Sequence, residues 1–105
     1  MEIEYRNQTL KRMAQDARED GGYAQSVVTV YRKRIQLITA APDERDFYKL
    51  KSLHYEKLKG NRSHQRSMRI NRQLRLILEI KSMKQEQVVR IISIEDYHKK
   101  KGRKK

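Results

Sequence analysis

Residues 65–80 read QRSMRINRQLRLILEI, and two kinds of side chain alternate along them. Even positions are mostly apolar, as at Met68, Leu76 and Leu78, while most odd positions are polar or basic. A period of two is typical of strands with one buried face. Asn71 and Arg72 interrupt the pattern, and asparagine tolerates a positive φ, so the stretch predicts a β-hairpin that turns at these two residues.

The residues before the hairpin predict one strand and two helices. Residues 1–5 alternate between apolar and acidic side chains, which favours an edge or half-exposed strand. Residues 7–17 and 24–39 carry apolar side chains at helical spacing. The secondary structure of residues 43–55 is ambiguous, and a turn of helix followed by an extended segment is one possibility.

After the hairpin, residues 88–97 form a nearly continuous apolar run rich in Val and Ile. Such a run predicts a strand that is buried on both faces. The order of elements therefore predicts an α+β domain in which an N-terminal strand and two helices pack on a mainly antiparallel sheet. We expect a single domain over residues 1–98 and a basic, disordered tail over residues 99–105.

Positive charge dominates the composition. The net charge is +13, and the last seven residues supply +6 of it, so the rest of the chain still carries +7. Seven cations and no carboxylate fall within residues 57–75: Lys57, Lys59, Arg62, Arg66, Arg69, Arg72 and Arg75. Cations held on a folded scaffold can bind a polyanion in fixed geometry, so RNA or DNA is the expected partner.

Other features exclude several classes of protein. The chain has no cysteine, which excludes disulfides and thiolate metal sites. Neither a signal peptide nor a run of membrane-spanning length is visible, so we expect a soluble, cytoplasmic protein with no membrane partner. No glycine-rich phosphate loop, Ser-His-Asp set or paired carboxylates are present, which removes the usual support for nucleotide hydrolysis, acyl transfer and glycoside hydrolysis. We expect no cofactor.

The hairpin places candidate chemistry on one face of the sheet. If the alternation holds, four side chains share the face opposite the apolar positions: Ser67, Arg69, Gln73 and Arg75. Two guanidinium groups on one face are usually tolerated when an anion lies between them, and arginine matches phosphate in a bidentate way. The competing interpretation is an ordinary solvated strand face.

Histidines are the other candidates. His98 ends the sequence Asp96-Tyr97-His98 and could transfer a proton near neutral pH. His54 and His64 have no such context, and the spacing of the three histidines does not predict a metal site. No metal is therefore expected.

Three motifs together carry a resemblance to a known family. They are LHYEKLKGNR at 53–62, SMRINRQLRL at 67–76 and EDYH at 95–98. In these motifs the chain resembles the HigB toxins of the RelE/ParE toxin superfamily, which come from bacterial type II toxin–antitoxin modules. Leu74 and Arg66 depart from the family pattern, which usually has an aromatic residue at both positions.

This resemblance implies a microbial ribonuclease-like fold and a ribosome-dependent mRNA endonuclease, or mRNA interferase, that inhibits translation. The implied partners are the ribosome, mRNA and a helix-turn-helix, HigA-like antitoxin. The catalytic positions fall on Lys59, Arg69, Arg75, Asp96, Tyr97 and His98. Further RNA contacts are expected from Lys57, Arg62, Arg66, Asn71, Arg72 and Gln73.

The expected reaction is metal-free attack of a ribose 2′-hydroxyl on the adjacent phosphorus. In it, His98 is the general acid, and Arg69, Arg75 and Lys59 stabilise the phosphorane. The base stays open, since Asp96 could serve as the base or merely orient His98. Two other functions also stay open: a ParE-like topoisomerase poison and a non-catalytic RNA- or ribosome-binding module.

An antitoxin could bind in two ways. It could cover the arginine face, or it could bind the outer helices and block ribosome access by bulk. We expect the second, because the helices offer the larger surface.

Overall fold

The computed structural model describes residues 1–96, so the predicted tail at 99–105 lies outside the described residues. Within the described part, five strands, three α-helices and two 3₁₀ turns follow one another. In chain order they are β1 (Glu2–Tyr5), α1 (Gln8–Gln15), α2 (Gln25–Ala40), α3 (Arg45–Lys49), a 3₁₀ turn (Lys51–Leu53), β2 (Glu56–Lys57), a second 3₁₀ turn (Gly60–Arg62), β3 (Gln65–Arg69), β4 (Leu74–Met83) and β5 (Glu86–Asp96).

The strands form one sheet in the order β1-β5-β4-β3-β2. Only the contact between β1 and β5 is parallel, and the other three pairs are antiparallel. The predicted α+β fold with a mainly antiparallel sheet is thereby confirmed, including the position of β1 at an edge. The short strand β2, at the other edge, was not predicted.

Both long helices lie where the apolar spacing predicted them. The side chain of Asn7 accepts a hydrogen bond from the Leu10 amide at 2.9 Å and so caps α1. This helix is shorter than the expected 7–17, because Asp16 is already extended, with φ −112° and ψ 115°. The predicted helix 24–39 corresponds to Gln25–Ala40, a shift of one residue.

The core lies on one side of the sheet, between it and the helices. Tyr31 of α2, Met13 of α1 and Phe47 of α3 are each fully buried there. They pack with the apolar side chains of β3, β4 and β5. The hydroxyl group of Tyr31 donates to the carbonyl oxygen of Leu10 at 2.7 Å, which joins the first two helices. The opposite face of the sheet is not covered by these helices.

The predicted hairpin is β3 and β4, and the turn between them contains Asn71 and Arg72 as expected. The reason differs from the prediction, because Asn71 does not have a positive φ. Its side-chain oxygen instead accepts hydrogen bonds from the amides of Gln73 (2.8 Å) and Leu74 (2.7 Å). The side chain thus replaces part of the backbone bonding of the turn.

The last strand is second in the sheet and is buried on both faces, as predicted. Val89 and Ile91 belong to the core, while Val88 and Ile92 are buried outside that cluster. The register with β4 shifts between Ile77 and Leu78, which marks a β-bulge. Among residues 1–96, no helix is long and apolar enough to cross a membrane.

Candidate active site

Two arginines face each other across the hairpin. Arg69 is the register partner of Arg75, so both side chains leave the sheet on the face opposite the helices. Ser67 shares this face, which confirms the predicted alternation in the strands. Like charges directly opposite each other repel, so this pair needs counter-charges or an anionic ligand.

Arg75 is oriented by several groups of the protein. Its Nε donates to Ser67 Oγ at 2.9 Å, and its Nη2 donates to the carbonyl oxygen of His54. The same Nη2 lies 3.3 Å from a carboxylate oxygen of Glu56, and only 12% of the arginine side chain is exposed. This guanidinium is therefore held in place by the fold itself.

Arg69 contacts His54 and the hairpin turn. Its Nη1 lies 3.1 Å from Nε2 of His54, and its Nε donates to the carbonyl oxygen of Asn71 at 3.3 Å. Because a guanidinium can only donate, Nε2 of His54 is the acceptor in a hydrogen bond between the two side chains.

His54 is the residue that joins the two arginines, and it had no predicted role. It follows the 3₁₀ turn Lys51–Leu53 and has a left-handed backbone, with φ 45° and ψ 48°. This conformation turns the chain immediately before β2. As a result, the ring reaches Arg69 while the carbonyl group reaches Arg75.

Two carboxylates also lie on this face, and neither was predicted. Glu56 of β2 is the register partner of Ser67, and Glu95 of β5 is the register partner of Arg75. Glu95 accepts from both Nη atoms of Arg62, at 3.0 and 2.8 Å, and this hydrogen-bonded pair raises the pKa of Arg62. Residues 57–75 contain no carboxylate of their own, so the carboxylates that pair with Arg62 and Arg75 lie outside this range.

Two of the cations predicted to contact RNA have carboxylate partners. Arg62 is paired with Glu95, which attaches the turn Gly60–Arg62 to the sheet. Arg66 lies on the helix side, where its Nε donates to Glu44 at 2.9 Å. The hydroxyl group of Tyr55 donates to the same oxygen of Glu44 at 2.9 Å. The structure therefore does not bring Arg66 together with Arg69 and Arg75.

Three other predicted cations are exposed: Lys57 in β2, Lys59 before the second 3₁₀ turn and Arg72 in the hairpin turn. Lys57 is the register partner of Arg66, so its side chain leaves the sheet on the helix side rather than beside Arg69 and Arg75. We expect the charges of the three exposed cations to act on a ligand through the solvent more than by fixed geometry.

The C-terminal end of the site is only partly described. Gln73 lies in the turn rather than in a strand, and its Nε2 donates to Asp96 Oδ2 at 2.6 Å. Asp96 is the register partner of Leu74, whereas Glu95 is the partner of Arg75. Successive residues of a strand face opposite sides, so Asp96 is on the helix side. Tyr97 and His98 lie outside the described residues.

Within residues 1–96 the structure contains no group of three or more His, Asp or Glu side chains that could hold a metal ion. The described site consists of two arginines, one imidazole, a serine hydroxyl and two carboxylates. Such a set can bind an anion and accept a proton.

Comparisons with known proteins identify the family. The family model described as "RelE-like toxin of type II toxin-antitoxin system HigB" matches residues 3–98. The chain belongs to this HigB-like toxin family. It is thus a RelE-like toxin of a type II toxin–antitoxin system, and membership in such a system implies a cognate antitoxin.

Solved structures share the fold of this toxin. A YoeB/ParE toxin from Agrobacterium tumefaciens is 17% identical, with a TM-score of 0.59 over 92% of this chain and 99% of that one. YafQ from E. coli is 14% identical, with a TM-score of 0.59 over 93% of this chain and 94% of that one. At such low identity these structures establish the fold alone. A comparison with curated proteins found no match.

Proposed function

We propose that this toxin is an mRNA endonuclease that cleaves ribosome-bound message in the cytoplasm. The observation that carries the proposal is the convergence of Arg69, Arg75 and His54 on one face of the sheet. Membership in the family supports it, because RelE- and YafQ-type toxins are generally endoribonucleases.

The proposed reaction uses only the RNA and side chains of the toxin. A ribose 2′-hydroxyl loses its proton and attacks the adjacent phosphorus. The bond from phosphorus to the 5′ oxygen of the next nucleotide then breaks, and that oxygen takes up a proton. The products are a 2′,3′-cyclic phosphate and a free 5′-hydroxyl group.

We assign the base to His54. Its Nε2 carries a lone pair on the arginine face, and imidazole is the side chain best suited to proton transfer near neutral pH. Glu56 is also on this face, and its carboxylate is paired with Arg75. Asp96 lies on the other side of the sheet and binds Gln73, so we assign it to positioning the end of β5.

The arginines would stabilise the charge that develops on the phosphorane oxygens. Arg75 is already oriented, so it can do so with little reorganisation, while Arg69 can leave His54 and bind the phosphate. Lys59 is proposed to add a further positive charge. His98 is the proposed acid at the leaving oxygen, and Tyr97 is the proposed contact to the sugar.

Dependence on the ribosome is proposed from membership in the HigB-like toxin family. An mRNA strand held in the decoding site would already be aligned when the toxin acts on it. The net charge of +13 favours binding to the ribosomal RNA around it.

The test is to incubate the toxin with translating ribosomes and to map the mRNA ends. Fragments that end in a cyclic phosphate, and only when ribosomes are present, would support the proposal. Inhibited supercoiling without fragments would instead indicate a topoisomerase poison. Ribosome binding with neither effect would indicate a binding module.

A further inference from the structure

An arginine of helix α2 reaches across to the catalytic hairpin. Nε of Arg34 donates to the backbone carbonyl oxygen of Arg69 at 2.9 Å. The Arg34 side chain is partly buried, and burial lowers its pKa from the usual value for arginine. Because the contact is partly buried, water competes less for this hydrogen bond, which can therefore hold the hairpin in place.

The carbonyl group of Arg69 needs this partner because of the way the sheet is built. The amide of Ile70 donates to Leu74 of β4 at 2.9 Å. In a trans peptide the carbonyl group points away from the amide that follows it. The Arg69 carbonyl group is therefore directed away from β4, toward the β2 side.

Strand β2, however, pairs with β3 only at Ser67 and Arg66. Continuing that antiparallel register would place His54 opposite Arg69, but the left-handed backbone of His54 has already taken the chain out of the strand. The same turn that brings the His54 ring to Arg69 therefore removes the strand partner of the Arg69 carbonyl group. The hydrogen bond that a strand partner would have made to this carbonyl group is made by Arg34.

We propose that Arg34 is a positioning residue for Arg69. By holding the peptide group between Arg69 and Ile70, it sets the direction in which the Arg69 side chain leaves the sheet, so that the guanidinium lies beside His54 and can reach the phosphate. The inference rests on the proposed function, because it assumes that Arg69 contacts the scissile phosphate.

The test compares three variants of the full chain. Arg34→Gln removes the charge and shortens the side chain, whereas Arg34→Lys keeps a donor that can reach the carbonyl group. Lys33→Gln removes the same charge from an exposed neighbouring position of the same helix. Single-turnover cleavage is measured against ribosome concentration, well below the melting temperature of each variant.

We expect Arg34→Gln to lower the maximal rate about 10²-fold, since small misplacements of a catalytic group can cost that much, with little change in the half-saturating concentration. Arg34→Lys should recover most of the rate, and Lys33→Gln should match the parent protein. A lower melting temperature without a lower rate would reduce Arg34 to a structural role and overturn the proposal. Equal losses in Arg34→Gln and Lys33→Gln would overturn it as well.

A second measurement does not depend on cleavage. The ¹⁵N NMR shift of the His54 imidazole reports whether Nε2 accepts from Arg69. We expect Arg34→Gln to move this shift and Lys33→Gln to leave it unchanged. If the parent protein does not cleave mRNA, the proposed function fails while this measurement still decides on positioning. An unchanged shift in Arg34→Gln would refute it.

Discussion

The guanidinium of Arg69 meets the imidazole of His54, with Nη1 and Nε2 3.1 Å apart. The carbonyl group of the same histidine accepts a hydrogen bond from Arg75. His54 thus contacts both arginines: its side chain contacts Arg69 and its backbone contacts Arg75. Changing the His54 side chain should therefore affect the chemistry more than the placement of Arg75.

His54→Asn should lower the cleavage rate by roughly 10²–10⁴-fold, the usual contribution of a general base. Asparagine tolerates the left-handed backbone found at this position, so the fold should survive. The measurement is single-turnover cleavage at saturating ribosomes, with Glu56→Gln for comparison. A larger loss in Glu56→Gln than in His54→Asn would transfer the role of base to Glu56.

Arg75→Lys should lose most activity although the charge is kept. Lysine cannot reproduce the donors to Ser67 and to the His54 carbonyl group, nor the planar fork offered to phosphate. Losing partly buried hydrogen bonds should also cost about 1 to 3 kcal/mol of unfolding free energy.

For that variant, cleavage is measured well below its melting temperature, which is determined separately. Arg18→Lys serves as the matched control, because the Arg18 side chain is 92% exposed in the loop between the first two helices. Wild-type activity in Arg75→Lys would favour the interpretation of a solvated strand face.

His98→Gln should slow cleavage by roughly 10²–10⁴-fold, because glutamine is polar but cannot protonate the leaving oxygen. Ribosome binding should persist. The measurement is cleavage together with ribosome co-sedimentation of the same preparation. A cleavage rate equal to that of the parent protein would remove His98 from the proposed mechanism.

The antitoxin should bind the outer surface of α1 and α2 through acidic side chains. These helices carry exposed cations such as Lys11 and Arg12, and carboxylates of a partner would relieve the repulsion within a strongly basic chain. Hydrogen exchange with and without antitoxin measures this directly. Protection confined to the β3–β4 hairpin, with both helices unprotected, would overturn the expectation.

Stability should fall as the pH rises above about 10, the usual pKa of tyrosine. Burial raises the pKa of Tyr31 and of Tyr55, and the bond to Glu44 raises that of Tyr55 further. The unfolded chain would lose these protons while the folded chain keeps them, so alkali favours unfolding. Chemical denaturation at several pH values measures the effect, and Tyr55→Phe should show a smaller loss. An equal loss in this variant would contradict the account for Tyr55.

Much of the fold was predictable because its signals are local. Alternation identified the hairpin, helical spacing identified α1 and α2, and a continuous apolar run identified β5, since each pattern reflects burial along a single element. Strand β2 has only two residues, which is too short to carry a period. The position of His54 depends on how β2 meets β3, and neither strand reveals this alone.

The sequence by itself determined that this chain is basic, α+β and has two arginines on one face of a hairpin, because periodicity and charge belong to the order of residues. The carboxylate opposite Arg75 was decided by tertiary structure. Near the β4–β5 turn Met83 pairs with Glu86, and extending that register would place Ile94 opposite Arg75. The bulge beside Ile77 shifts the register by one residue and brings Glu95 there instead. A bulge reverses the facing of every residue beyond it, and it arises from packing between strands rather than from the pattern within one.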